Sequence, residues 1–128
     1  MIFSEEESFY TPEEQQRLAE KLDSTLDEYS QMANMFISYP FTSEEAKKFA
    51  RHGLCRRLGT LYQCIEHIFD LCPVSQSKKL DDDAYFIVNV CLQAFVINLY
   101  GVIDNMAWTL VEEKGYTNNG EKLVYSDV

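Results

Sequence analysis

Residues 84–111 read AYFIVNVCLQAFVINLYGVIDNMAWTLV. No charge falls between Asp83 and Asp104, no proline interrupts the run, and only Gly101 weakens it. Val, Ile, Phe, Leu and Met fall on almost every side of a 3.6-residue wheel, which predicts a helix surrounded by protein. At about 1.5 Å per residue, a helix of this length reaches roughly 42 Å, enough for the spine of a small bundle. The amphipathic segments before it need such an apolar element to pack on.

A membrane span is the competing reading. The uncharged run is long enough to cross a bilayer. Asn89, Gln93 and Asn98 sit inside it, however, and each amide is expensive in hydrocarbon. Asp81, Asp82 and Asp83 precede the run, and Glu112 and Glu113 follow it. Lys78, Lys79 and Lys114 give no positive-inside asymmetry. The expectation is a core helix and no membrane.

The chain has 128 residues, which predicts one domain over residues 1–128. A hydrophobic content of 46% excludes general disorder. A net charge of −10 disfavours non-specific contact with nucleic acid or anionic lipid. The start, MIFSEEESFY, lacks the basic and apolar regions of a secretory signal. Cys55, Cys64, Cys72 and Cys91 form no C-x-x-C pair, so they read as reduced, mostly buried thiols of a cytoplasmic protein.

Residues 1–10 read as a loose arm, with Phe9 a candidate staple onto the first helix. Thr11-Pro12-Glu13-Glu14 is a helix start with a capping box. It opens helix one over residues 11–39, whose stripe includes Leu18, Leu22, Leu26, Tyr29 and Phe36 and which ends at Pro40. The first forty residues carry nine acids against Arg17 and Lys21. They read as a solvated face, or as a docking surface for a basic partner.

A second capping box, Thr42-Ser43-Glu44-Glu45, opens helix two over residues 43–72. Gly53 and Gly59 mark close helix approach or a bend. Lys47, Lys48, Arg51, Arg56 and Arg57 lie here, spread around the wheel at 100° per residue. Lys47, Arg51, Arg56 and Arg57 are the candidate phosphate- or RNA-binding residues, and pairing with acidic helix one is the competing use. Residues 73–79 form a linker. Asp81 to Asp83 cap helix three over residues 82–113. Residues 114–128 read as an irregular or β-like tail, with Gly115 as C-cap, a turn at Asn119-Gly120, and Leu123-Val124-Tyr125 as a short strand or arm.

No Gly-rich phosphate loop or G-x-S-x-G elbow is present. Cys64-x-x-His67 lacks the further ligands zinc needs, so no metal and no cofactor are expected. His52 and His67 are the only candidates for proton transfer. Fifteen positions apart on one helix, they are separated by about 22 Å. Asp104 and Asn105 sit in the apolar helix and are expected to be buried and hydrogen-bonded to a neighbouring helix. Asn89, Gln93, Tyr100 and Asp104 form one polar line on that helix. Asn98, Asn105 and Thr109 form a second, nearly opposite. Two flanking helices cannot easily cover both, which predicts a homodimer or a protein partner docked through helix three.

The run Gly101-Val102-Ile103-Asp104-Asn105-Met106-Ala107-Trp108 resembles a signature of HEPN-superfamily proteins. The likeness is to a bacterial HEPN-like family with a Gly-x-x-Asp-Asn-x-Ala-Trp core. Arg57-Leu58 and Ile68-Phe69-Asp70-Leu71-Cys72-Pro73 match the family's basic helix. The resemblance implies an all-α fold: an antiparallel bundle of three long helices. Gly101, Asp104, Asn105 and Trp108 would be its structural or functional signature.

Many such proteins are metal-independent RNases in toxin–antitoxin or phage-defence systems. They use an Arg followed four to six residues later by His. No Arg here precedes His at that spacing. The resemblance would place that motif on further helices beyond Val128. The expected function is therefore a HEPN-like relative of RNase toxins without catalysis in this chain, acting by dimerisation or partner binding, with RNA as a further partner. The alternative is a small acidic module that blocks a basic partner.

Overall fold

A computed structural model describes residues 8–118 and 120–123. The elements are α1 (Pro12–Ser38), α2 (Glu44–Lys48), a π-helical segment (Phe49–Leu54), α3 (Cys55–Leu71), α4 (Asp82–Lys114), β1 (Thr117–Asn118) and β2 (Glu121–Lys122). The segment from Glu44 to Leu71 runs on as one helical body, so the domain is an all-α bundle of three long helices. The strands form one small antiparallel ladder, with Thr117 opposite Lys122. It lies one position before the expected Leu123 strand, and Val124 to Val128 fall outside the described residues.

The helix starts follow their capping chemistry. Thr11 Oγ1 accepts from the Glu14 N–H, and Glu14 Oε2 accepts from the Thr11 N–H, so the first box closes. Asp81 Oδ1 accepts from the Ala84 N–H at the start of α4. Gly115 ends α4 at φ 67°, a left-handed position that favours glycine. The second box does not close as expected. Ser43 is the N-cap and accepts from the Ala46 N–H. The carboxylate that answers it comes from the far end of α4. Glu113 accepts from the Thr42 N–H, the Thr42 hydroxyl and the Ser43 N–H at 2.9–3.1 Å.

Antiparallel packing is visible in the cross-helix contacts. Arg51 Nη2 donates to the Ile37 carbonyl, and Cys55 Sγ donates to the Ala33 carbonyl. Glu113 meets Ser43 at one end, and Arg57 reaches Asn98 and Asn105 further along. The middle body lies between α1 and α4.

The centre of the fold is this middle body, not α4. Ala46, Ala50, Leu54, Leu58, Leu61 and Cys64 are buried on it. Only Val102, Asn105 and Thr109 are buried on α4, and α1 buries none of its residues. Leu54, Leu58, Leu61 and Val102 form the core cluster, with Tyr29, Met32, Phe36 and Phe95 against it. The expectation that α4 would be surrounded by protein is thus corrected. Only 6% of its most apolar eighteen-residue window is buried. An apolar residue on every side of a wheel carries no phase, so composition cannot say how many sides are covered.

The π segment explains the spacing of the buried ladder. Ala46, Ala50, Leu54 and Leu58 repeat every four residues. On a 3.6-residue helix that row drifts by about 40° per step. One wider turn, closed by the Cys55 N–H on the Ala50 carbonyl, brings the row back to the core.

The arm is tied to the linker. Phe9 N–H and Ser8 Oγ both donate to the Gln76 carbonyl. Phe9 itself is exposed and lines a hollow with Cys72, Gln76, Leu80 and Tyr85, so the expected staple is replaced by a tether.

Candidate functional site

Two surfaces meet along α4. The first is a polar clasp between α4 and the middle body. Arg57 Nε donates to Asn105 Oδ1 at 3.1 Å, and its Nη1 donates to Asn98 Oδ1 at 3.2 Å. Asn98 Nδ2 donates to the Ala94 carbonyl, and Thr109 Oγ1 donates to the Asn105 carbonyl. Each side offers a glycine where the other side places its polar group. A Cβ on Gly53 would lie 2.8 Å from the Asn105 amide. A Cβ on Gly101 would collide with the Arg57 guanidinium. Gly59, by contrast, faces open space. Of the two glycines expected to mark close approach or a bend, Gly53 does so and Gly59 does not. Trp108 stacks on Phe49 at 6.2 Å, one turn further along.

The signature residues therefore divide. Gly101, Asn105 and Trp108 belong to the helix–helix contact. Asp104 is exposed, which corrects the expectation of a buried, hydrogen-bonded carboxylate. One residue along a helix is a rotation of about 100°. That step carries Asn105 inward and leaves Asp104 outside.

The second surface is a cleft of about 460 Å³ lined by Glu45, Lys48, Phe49, His52, Gly53, Arg56, Arg57 and Asn105. Here too a four-residue repeat matters. Lys48, His52 and Arg56 lie within about 80° of one another on an ideal wheel, and all three line the cleft. Arg57 forms the floor, turned inward to its asparagines. Lys48 pairs with Glu45 at 3.2 Å. That leaves the Arg56 guanidinium and the His52 imidazole as the exposed groups suited to an anion.

The other candidates lie elsewhere. Lys47 pairs locally with Glu44 at 3.1 Å. Arg51 covers the last carbonyls of α1, where a helix dipole favours a cation. His67 is exposed and does not line the cleft. Among the described residues, no ion pair joins the acids of α1 to the bases of the middle body. The expected pairing of those two faces does not form. No cluster of metal-ligating side chains occurs among the described residues.

The cysteines are free, with Cys64 buried and the others half-buried. Burial pushes the Cys64 thiol up, and Cys91 adds to it. Burial likewise raises Cys55, against an opposing pull from Arg51. Raised thiols are poor nucleophiles.

Sequence reasoning missed Glu113 as a cap and Lys48 as a cleft residue. Glu113 lies seventy positions from its partners, so no local pattern announces it. Lys48 stands four residues before His52 and eight before Arg56, a same-face spacing that could have found it. Comparison with protein-family models, curated proteins and solved structures gives no match.

Proposed function

We propose that this chain is a HEPN-like helical protein, related to prokaryotic RNase toxins or phage-defence proteins, that acts by association through the outward face of α4. It carries no catalysis of its own in this reading. The carrying observation is that face. Twelve exposed large apolar side chains lie on α4, in a molecule whose charge is otherwise −10. Apolar side chains exposed in this number on one helix mark an interaction site. The Gly-x-x-Asp-Asn-x-Ala-Trp run and the all-α bundle support the kinship, and the Arg56–His52 cleft is the surface assigned to phosphate contact.

Sedimentation at tens of micromolar, with an apolar-surface dye, tests the association. An oligomer or a complex with little dye binding is expected. A stable monomer that binds no dye would overturn the reading. Total RNA and a structured tRNA, incubated without metal, should remain intact. Cleavage that disappears in His52→Ala or His67→Ala would make that histidine catalytic.

The alternative, an acidic module for a basic partner, draws support from the exposed acidic face of α1, with Glu20, Asp23, Asp27 and Glu28. A salt-sensitive complex lost on reversing those charges would favour it.

A further inference from the structure

The Arg57 clasp is one layer of a longer seam between the middle body and α4. Facing residues step along it antiparallel: Ser43 with Glu113, Phe49 with Trp108, Gly53 with Asn105 and Arg57 with Asn98. Seven residues make almost two whole helical turns, so a step of seven stays on one face and advances about 10.5 Å. On α4 that step carries Asn105 to Asn98, both turned to the middle body, and then to Cys91. On α3 the same step carries Arg57 to Cys64. The layer after Arg57 and Asn98 therefore sets Cys64 level with Cys91.

Two further observations agree with this register. Cys64 is buried and Cys91 is half-buried, as residues of a seam are. The Cys91 thiol is also near enough to hinder ionisation of Cys64. The other two thiols are placed elsewhere. Cys55 donates to the Ala33 carbonyl of α1. Cys72 caps the end of α3, beside Phe9 and Tyr85.

We infer that Cys64 and Cys91 are a dithiol pair that closes to a disulfide across the α3–α4 seam by exchange with a small-molecule disulfide. The Cα atoms of a disulfide lie within about 7 Å of each other. Helices packed about 8–10 Å apart bring facing Cα atoms within that span. Cys91, the more open thiol, loses its proton and attacks the small disulfide. The S–S bond breaks, one small thiolate leaves and is protonated, and a mixed disulfide stands on Cys91. Cys64 then loses its proton and attacks Cys91 Sγ, and the second small thiol leaves in the same way. The protein gives up two electrons and two protons, and the small disulfide takes them as two thiols. Burial makes Cys64 a slow nucleophile, but its target is held beside it, which offsets that handicap. Two sulfurs fall short of the four ligands of a structural zinc site, so the pair is suited to exchange and not to that metal.

The bond acts on the half of α4 that packing holds least. Val102, Asn105 and Thr109, its buried residues, all lie in the second half. Cys91 lies in the first half, with the exposed side chains of Tyr85, Phe86 and Ile87. Closing the pair fastens that half to α3 and closes a loop through the linker. The pairing stands on the α3–α4 contact alone, whatever docks on α4.

The full chain, reduced and desalted, is incubated with excess oxidised glutathione, and its thiols are counted after unfolding. The count should fall from four to two, with two hydrogens lost from the mass and no glutathione retained. Chymotryptic mapping should join the Cys64 peptide to the Cys91 peptide. Cys55→Ala and Cys72→Ala should close as the wild type does. Cys91→Ala should not close, and Cys64→Ala should keep glutathione on Cys91. Should Cys64→Ala fail to fold, Cys91→Ala and the peptide map decide. Hydrogen exchange over residues 84–95 should slow about tenfold in the oxidised chain and recover on reduction with dithiothreitol.

Four thiols remaining, glutathione retained on wild-type Cys91, a bond from Cys91 to Cys72, or a bond between two chains would overturn the pairing. A Cys64–Cys91 bond without slower exchange would overturn its role as a fastener.

Discussion

Helix α4 carries two polar lines of similar composition on opposite sides, and they have opposite fates. Asn98, Asn105 and Thr109 face the middle body, and each has a hydrogen-bond partner. Asn89, Gln93, Tyr100 and Asp104 face out. Polarity did not choose between them. What chose was the opposing surface. The middle body offers Gly53 for Asn105 to fill and Arg57 to satisfy both asparagines, and α4 offers Gly101 for Arg57 to cross. A buried polar line is tolerated where its partners are supplied, and an unpaired one costs more than exposure. The apolar residues beside the outer line were left exposed as a result.

The sharpest way to break this comparison is at Gly53. Gly53→Ala puts a Cβ against the buried, hydrogen-bonded Asn105 side chain. Overpacking of that kind typically costs about 1–3 kcal/mol, and the gain in helix propensity returns about 1, so a net loss of up to about 2 kcal/mol is expected in denaturant unfolding. An unchanged or raised stability would show that the close approach does not hold the helices.

Arg57→Met removes the donor to Asn105 Oδ1 and Asn98 Oδ1. A loss of about 1–2 kcal/mol should follow from the stranded acceptors. Combined with Asn105→Leu, part of that loss should return, because both partners are then gone. A strictly additive double variant would place the two side chains in separate networks.

Gly59→Ala is the control within the same helical body. Nothing lies within 4 Å of its added Cβ, so helix propensity should win and stabilise by about 0.5–1 kcal/mol. A destabilised variant would mean that Gly59 also sits in a contact.

The smallest effects belong to the outer line and to the Glu113 cap. Asp104→Ala should change the stability of dilute protein by less than about 0.5 kcal/mol, since the side chain is exposed. A larger drop would return Asp104 to the structural set. For Glu113, hydrogen bonds from the Thr42 and Ser43 backbone hold the carboxyl below its ordinary value of 4.5. Its contribution is therefore present above that value and fades as pH falls through the lowered one. The melting difference between wild type and Glu113→Gln should be visible at neutral pH and vanish in acid. A difference that grows in acid would reverse the assignment.

Much of the architecture was legible in the residues. Thr11 with Glu14, Asp81 and Gly115 mark their helix ends by local chemistry, and local chemistry survives folding. Two features of tertiary origin were not legible. The apolar wheel of α4 could not tell which side was covered, so its role as spine was misread and Asp104 was placed inside. The π turn over Phe49–Leu54, which straightens the longer row from Ala46 to Leu58, leaves no mark that a fixed 3.6 period can detect. Of the candidate site, Arg56, Arg57 and His52 share a cleft, whereas Lys47, Arg51 and His67 are held elsewhere.

The bond from Glu113 to Thr42 and Ser43 has a kinetic consequence. The start of α2 borrows its cap from the last turn of α4, so that cap cannot exist until the third helix has arrived. The hairpin of α1 and the middle body has only local loop closures to make and can form first. Its α2 end would then fray until α4 docks. The amides of Thr42 and Ser43 are thus reporters of that last event. Their hydrogen exchange should follow the opening of α4 from the bundle, and should quicken in Glu113→Gln while the Ala46 amide, held by Ser43, keeps more of its protection.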